Sequence, residues 1–132
     1  MTKTILITGI GGLTPRSIAT IIRKNHPEYK IIGCDIDKKA MGFFMKTKDD
    51  IQLVDEYFVC PRCTSREYFP WVEKLVAEKQ IDYAFVQPES EIVEWGQYYE
   101  EYGKYHRRRQ VYVQMKHSAL TSVGNSPPSY IM

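Results

Sequence analysis

The chain has no apolar run long enough to span a membrane. Its apolar start, "MTKTILITGI", breaks at once into Gly9, Gly11 and Gly12 and shows no signal-peptide cleavage pattern. Charge of one sign is equally scarce: a net charge of +2, with 26% charged residues, argues against a nucleic-acid binder. Cysteine is sparse and odd in number, three in all, which suits a reducing compartment better than a disulfide framework. Cys60-Pro-Arg-Cys63 is a lone C-x-x-C without a second pair, and His26, His106 and His117 are not spaced around it as zinc ligands. The pair reads as two loop cysteines, with a redox role as the alternative because a helix begins nearby. There is no internal repeat and no P-loop G-x-x-x-x-G-K-[ST]. These absences leave a cytoplasmic globular domain without nucleic acid, membrane or metal as the expectation.

What is present is an alternation of strands and helices. At 132 residues the chain holds about one domain. "TILIT" (4–8) reads as a buried strand. A helix follows in which Thr14 is the candidate cap, Pro15 the first helical residue, and Ile18, Ile21 and Ile22 the apolar face. "KIIGCDID" (30–37) is a second strand, "MGFF" opens an ambiguous short helix, and "VDEYFV" (54–59) is a third strand. In 64–80, Thr64 and Glu67 have capping-box spacing, and Tyr68, Val72, Leu75 and Val76 form a stripe. Pro70 offers a later start. "IDYAFVQ" (81–87) is a fourth strand, and 88–103 is a helix with Ser90 as candidate cap and Gly103 as its end. This alternation predicts right-handed βαβ units and a parallel sheet of order 3-2-1-4. Residues 104–132 are basic, then Ser/Gly/Pro-rich. They read as a tail with one edge-strand candidate, "VYVQM", making the sheet four- to five-stranded.

In such a sheet, ligands bind beyond the carboxyl ends of the strands. Three loops leave strands there: Gly9–Pro15, Asp35–Lys38 and Gln87–Glu91. Glycines let a ligand approach the backbone, and the helix N-terminus behind them favours an anion. The ordinary alternative is a tight turn. As a dinucleotide fingerprint G-x-G-x-x-G, the loop matches at Gly9 and Gly11 but has Thr14 for the third glycine. As T-G-x-x-G-x-x-G it matches at Thr8, Gly9 and Gly12 and fails at Pro15. Asp35 stands where a ribose-binding acid belongs. Tyr112 and Lys116 satisfy Y-x-x-x-K in a strand-like segment, which reads as coincidence. Glu89 and Glu91 flank Ser90 past a buried strand. They either complement the helix dipole or grip an amine or a hydroxyl group.

The ordered set "TILITGIGGLTPRSIATIIRK", "IIGCDID" and "DEYFVCPRCTSREYFPWVEKLVAEKQIDYAFVQPESEIVEW" resembles the N-terminal domain of carbamoyl-phosphate-synthase-like ATP-grasp ligases, over roughly residues 3–103. That resemblance implies a three-layer Rossmann-like α/β domain on the substrate side of a carboxylate–amine ligase. ATP and magnesium would be held by later domains, and no cofactor by this chain. The Asp-Lys pair with which that family often continues is not found, so the chain reads as a fragment, a split-gene product or an early-terminated form, inactive alone. A separate ATP-grasp chain or self-association is then the expected partner. Gly11, Gly12, Arg16, Asp35, Glu89, Ser90 and Glu91 are the candidate substrate-binding residues, for an amine or amino acid. The alternatives are an NAD(P)-binding module of dehydrogenase or epimerase type and a non-catalytic association domain.

Overall fold

The computed structural model describes residues 2–102 and 112–114, with side chains described through residue 98. The elements run β1 (Thr4–Thr8), α1 (Leu13–Asn25), β2 (Lys30–Asp35), α2 (Met41–Phe44), β3 (Glu56–Val59), α3 (Tyr68–Lys79), β4 (Tyr83–Phe85), α4 (Glu89–Tyr102) and β5 (Tyr112–Gln114). All strand pairings are parallel, in the order β3-β2-β1-β4-β5. The predicted order 3-2-1-4 is therefore the observed one, and Tyr112–Gln114, within "VYVQM", supplies the fifth strand beside β4. The remaining tail, with Lys116, and the proposed helix end at Gly103 lie outside the described residues.

Strand alternation divides the interior into two layers. Leu6, Ile32, Cys34 and Ala84 turn to one face and pack with Tyr68, Val72, Leu75 and Val76 of α3 and Ile92 and Trp95 of α4. Ile5, Ile7 and Ile31 turn to the other, with Ala19 of α1, Phe43 of α2, and Leu53 and Val54. These are the helical layers of a doubly wound sheet.

Helix starts differ from the sequence reading. α1 is capped by the extended backbone of Gly12, with no side-chain cap, so Thr14 is already helical and Pro15 is third in the helix. Proline fits there because first-turn N–H groups have no acceptor within the helix. Ile21 is exposed, and Arg23 takes the buried position beside Ala19. α3 begins at Tyr68, and Thr64 and Glu67 form no capping box. Instead the Glu67 N–H donates to Ser65 Oγ at 3.1 Å. α4 begins at Glu89, so Ser90 lies inside the first turn rather than capping it.

Candidate functional site

The loop between β1 and α1 is built around a positive φ. Gly9 has φ +63°, and a Cβ there would stand 2.5 Å from Pro88 Cγ, so only glycine fits beneath that ring. The loop closes on itself through Gly12 N–H to Gly9 O at 2.9 Å. It is tied to β2 twice: Ile10 N–H donates to Cys34 O at 3.1 Å, and Gly11 N–H donates to Asp35 Oδ2 at 2.9 Å. The other Asp35 oxygen accepts the Asp37 N–H at 3.0 Å. Asp35 is thus held by two backbone donors at the carboxyl end of β2, half-buried, with lone pairs to spare.

Two hollows flank the Gly9–Pro88 contact. The larger, about 410 Å³, is lined by Gly9, Asp35, Ile36, Arg62, Cys63, Thr64, Pro88, Ser90 and Glu91. The smaller, about 260 Å³, lies over the start of α1, between Gly12, Leu13, Thr14, Pro15, Gln87 and Pro88. Of the candidate residues, Asp35, Ser90 and Glu91 share the larger hollow and Gly12 lines the smaller.

The other candidates stand elsewhere. Gly11 lies behind Asp35, its N–H already engaged. Glu89 is exposed and outside both linings. Arg16 also lines neither hollow: its Nε donates back to Gly12 O at 3.0 Å, and Nη1 lies 3.1 Å from Met41 Sδ and 3.3 Å from Met45 Sδ. An arginine one turn into a helix reaches the carbonyl four residues back more readily than a ligand beyond the sheet edge.

The segment after β3 (Arg62, Cys63 and Thr64) was absent from the sequence-level site. The available signal was the topological rule itself, because β3 also points its carboxyl end at this edge. The C-x-x-C spacing drew that segment toward metal and redox readings. All three cysteines are free thiols, and no cluster of metal-ligating side chains occurs among the described residues. Cys34 is buried in the core. Its hydrogen bond with Cys60, and then burial, push its thiol pKa well above the ordinary value.

Glu91 is the departure from a solvated helix start. It is only 8% exposed and accepts a hydrogen bond from the Tyr68 hydroxyl, which in turn accepts one from Trp95 Nε1 at 2.8 Å. The Thr8 hydroxyl also bonds Glu91 while accepting the Gln87 N–H at 3.3 Å. Burial raises the Glu91 pKa, and Asp35 adds to the rise, against the pull of Tyr68 and Thr8. Tyr68 is raised as well, first by burial and then by Glu91.

No family model matches the chain, and no curated protein matches it. Solved structures do. A dTDP-glucose 4,6-dehydratase from Bacillus anthracis, in complex with NAD, aligns at TM-score 0.52 and 14% identity over 86% of this chain and 36% of its own. An ADP-L-glycero-D-manno-heptose-6-epimerase from Helicobacter pylori aligns at TM-score 0.45 and 25% identity over 66% and 26%. A UDP-D-quinovosamine 4-dehydrogenase from Vibrio fischeri aligns at 0.49 and 20%, over 100% of both chains. The chain spans about a third or less of the dehydratase and the epimerase. The dehydratase likeness is one of fold, and sheet order and layers agree with it: this is a Rossmann-like α/β domain. Among the described residues, no helix is long and apolar enough to cross a membrane.

Proposed function

We propose that the chain is an NAD(P)-binding Rossmann module of dehydrogenase or epimerase type. The observation that carries this reading is Asp35. Its carboxylate is anchored by Gly11 and Asp37 N–H groups at the end of β2, faces the larger hollow, and retains acceptor capacity for a ribose diol. The smaller hollow suits a pyrophosphate, because Leu13 and Thr14 stand in the first turn of α1, where N–H groups lack helical partners. Pro15, in place of the last glycine of T-G-x-x-G-x-x-G, removes an N–H one residue beyond those two. The fold is shared with a dehydratase that is in complex with NAD. A bound nicotinamide dinucleotide would supply hydride chemistry, and Asp35 and the start of α1 are the residues that would hold it.

Calorimetry with NAD and NADP on the wild type and Asp35→Ala tests the reading. Binding that weakens at least tenfold in the variant is the expected result, as for loss of a charge-assisted hydrogen bond of about 1.5–3 kcal/mol. Equal binding by both proteins, or none by the wild type, overturns it.

The second reading is the substrate-side domain of an ATP-grasp ligase. The observation favouring it is that Ser90 and Glu91 share the larger hollow with Asp35, offering hydroxyl and carboxyl groups to an amine or amino acid. ATP and magnesium would then belong to other domains or to a separate ATP-grasp chain, in the cytoplasm, and this chain alone would release no phosphate from ATP. A panel of amino acids and small amines in the same calorimetric format decides between the two. Amine binding lost in Glu91→Gln, with no response to NAD, selects the ligase.

A further inference from the structure

The Glu91 carboxyl is a buried polar group in the wall of the larger hollow, which Asp35 also lines. Nothing in the dinucleotide reading uses it. Tyr68 O–H donates to its Oε1 and Trp95 Nε1 fixes the Tyr68 oxygen, so Oε1 is held as an acceptor by two aromatic side chains in the core. The Tyr68 bond to Oε1 directs a proton on this carboxyl to Oε2, alongside the bond that the Thr8 hydroxyl also makes to the group, and the protonated carboxyl offers one donor and one acceptor side by side.

We propose that Glu91 is a specificity-determining residue that reads the amino-pyrimidine edge of an adenine base in the larger hollow. Its O–H donates to the ring N1, and its carbonyl oxygen accepts from the N6 amino group. This rests on the nucleotide reading above and adds the base to it. The donor–acceptor pair matches adenine and opposes hypoxanthine, whose ring N1 carries hydrogen and whose C6 carries oxygen. An ionised carboxylate would lose the donor and with it the preference. The hollow's 410 Å³ falls in the range of small-ligand sites.

Several charged or titratable groups face Glu91 from the elements packed around it. They are Asp35 and Cys34 from β2 and its end, Tyr68 from α3, and Arg62 and Cys63 on the same hollow from the segment after β3. The phosphates of the nucleotide titrate too. The experiment therefore reads the ratio of ADP to IDP affinity, in which phosphate ionisation and the other groups largely cancel.

Calorimetry with ADP and IDP across the acid-to-neutral range should show the wild type favouring ADP by roughly tenfold where Glu91 is protonated, with the ratio falling as pH rises. In Glu91→Gln the amide carries a fixed donor and acceptor, so the preference should persist without pH dependence. In Tyr68→Phe the lost donor no longer stabilises the ionised carboxylate, so the fall should move to higher pH. A wild-type ratio that is flat with pH, or a Glu91→Gln ratio that falls like the wild type's, overturns the assignment while leaving the nucleotide reading intact. Absence of binding by either nucleotide removes both.

Discussion

Among the described residues, each face of the sheet buries one side chain of a charged residue type, Arg23 on one and Glu91 on the other, and they are paired differently. On the α1 face, Arg23 is 8% exposed. It donates to Asp55 Oδ2 at 2.9 Å, Leu53 O at 3.1 Å and Tyr29 O at 3.3 Å, binding helix to sheet through an opposite charge and two carbonyls. On the α3/α4 face, Glu91 is equally buried but its partners are the hydroxyls of Tyr68 and Thr8. A charge matched by a counter-charge holds its ionisation state and supports the fold. A buried carboxyl matched only by hydroxyls has its pKa raised by that burial. The first pairing ties helix to sheet, whereas the larger hollow opens beside the second and the smaller lies over the start of α1.

The largest expected effect breaks the structural half of this contrast. Arg23→Ala leaves Asp55 without its cation and Leu53 O without its donor, and should cost about 3 kcal/mol in urea denaturation, with Asp55's partial exposure keeping it at the low end. Gly9→Ala comes next. The residue would hold φ +63° and press on Pro88, so a loss of about 2 kcal/mol is expected, together with weakened NAD binding.

Glu91→Gln sharpens the comparison through pH. Because the folded-state pKa of Glu91 is raised, its favourable contribution is full below the unfolded carboxyl value and is lost as pH rises through the folded one. Denaturation above that range should therefore find Glu91→Gln more stable than the wild type, by about 1 kcal/mol, with the difference shrinking in acid. A wild-type advantage that grows with pH would contradict this. Glu56 is the surface control, with the opposite slope. Lys30 and Lys79 hold its pKa below the usual carboxylate value, so its contribution is present at neutral pH and lost as pH falls through that lowered value. Glu56→Gln should cost less than about 1 kcal/mol at neutral pH and nothing in strong acid.

Much of the fold was legible because strand and helix periodicities are local. "TILIT" and "KIIGCD" show their burial on both faces as unbroken apolar runs, and alternation alone yields the order 3-2-1-4. Helix starts were less legible. Thr14, Thr64 and Ser90 are all acceptable caps chemically, but Gly12 in extended conformation already supplies the first turn of α1, and α4 starts before Ser90. In the candidate site, the position of Asp35 on the larger hollow was legible because one strand end decides it. The site was not legible where distant partners decide it: nothing near Glu91 in sequence reveals Tyr68, 23 residues earlier, and nothing near Arg16 reveals Met41, 25 later.

The central place of β1 bears on how the chain is made. It leaves the ribosome first among the strands, yet its two neighbours come later: Lys30 pairs with Thr4 early, whereas Tyr83 reaches Ile5 only after another fifty-odd residues have emerged. Through that interval one edge of β1, "TILIT", stands open as an unsatisfied strand of four buried residues in five. In order of synthesis, β1 therefore has its second pairing partner long after its first. The arrival of "YAF", with Asp82 clamping Thr4 N–H at 2.9 Å, ends the exposure.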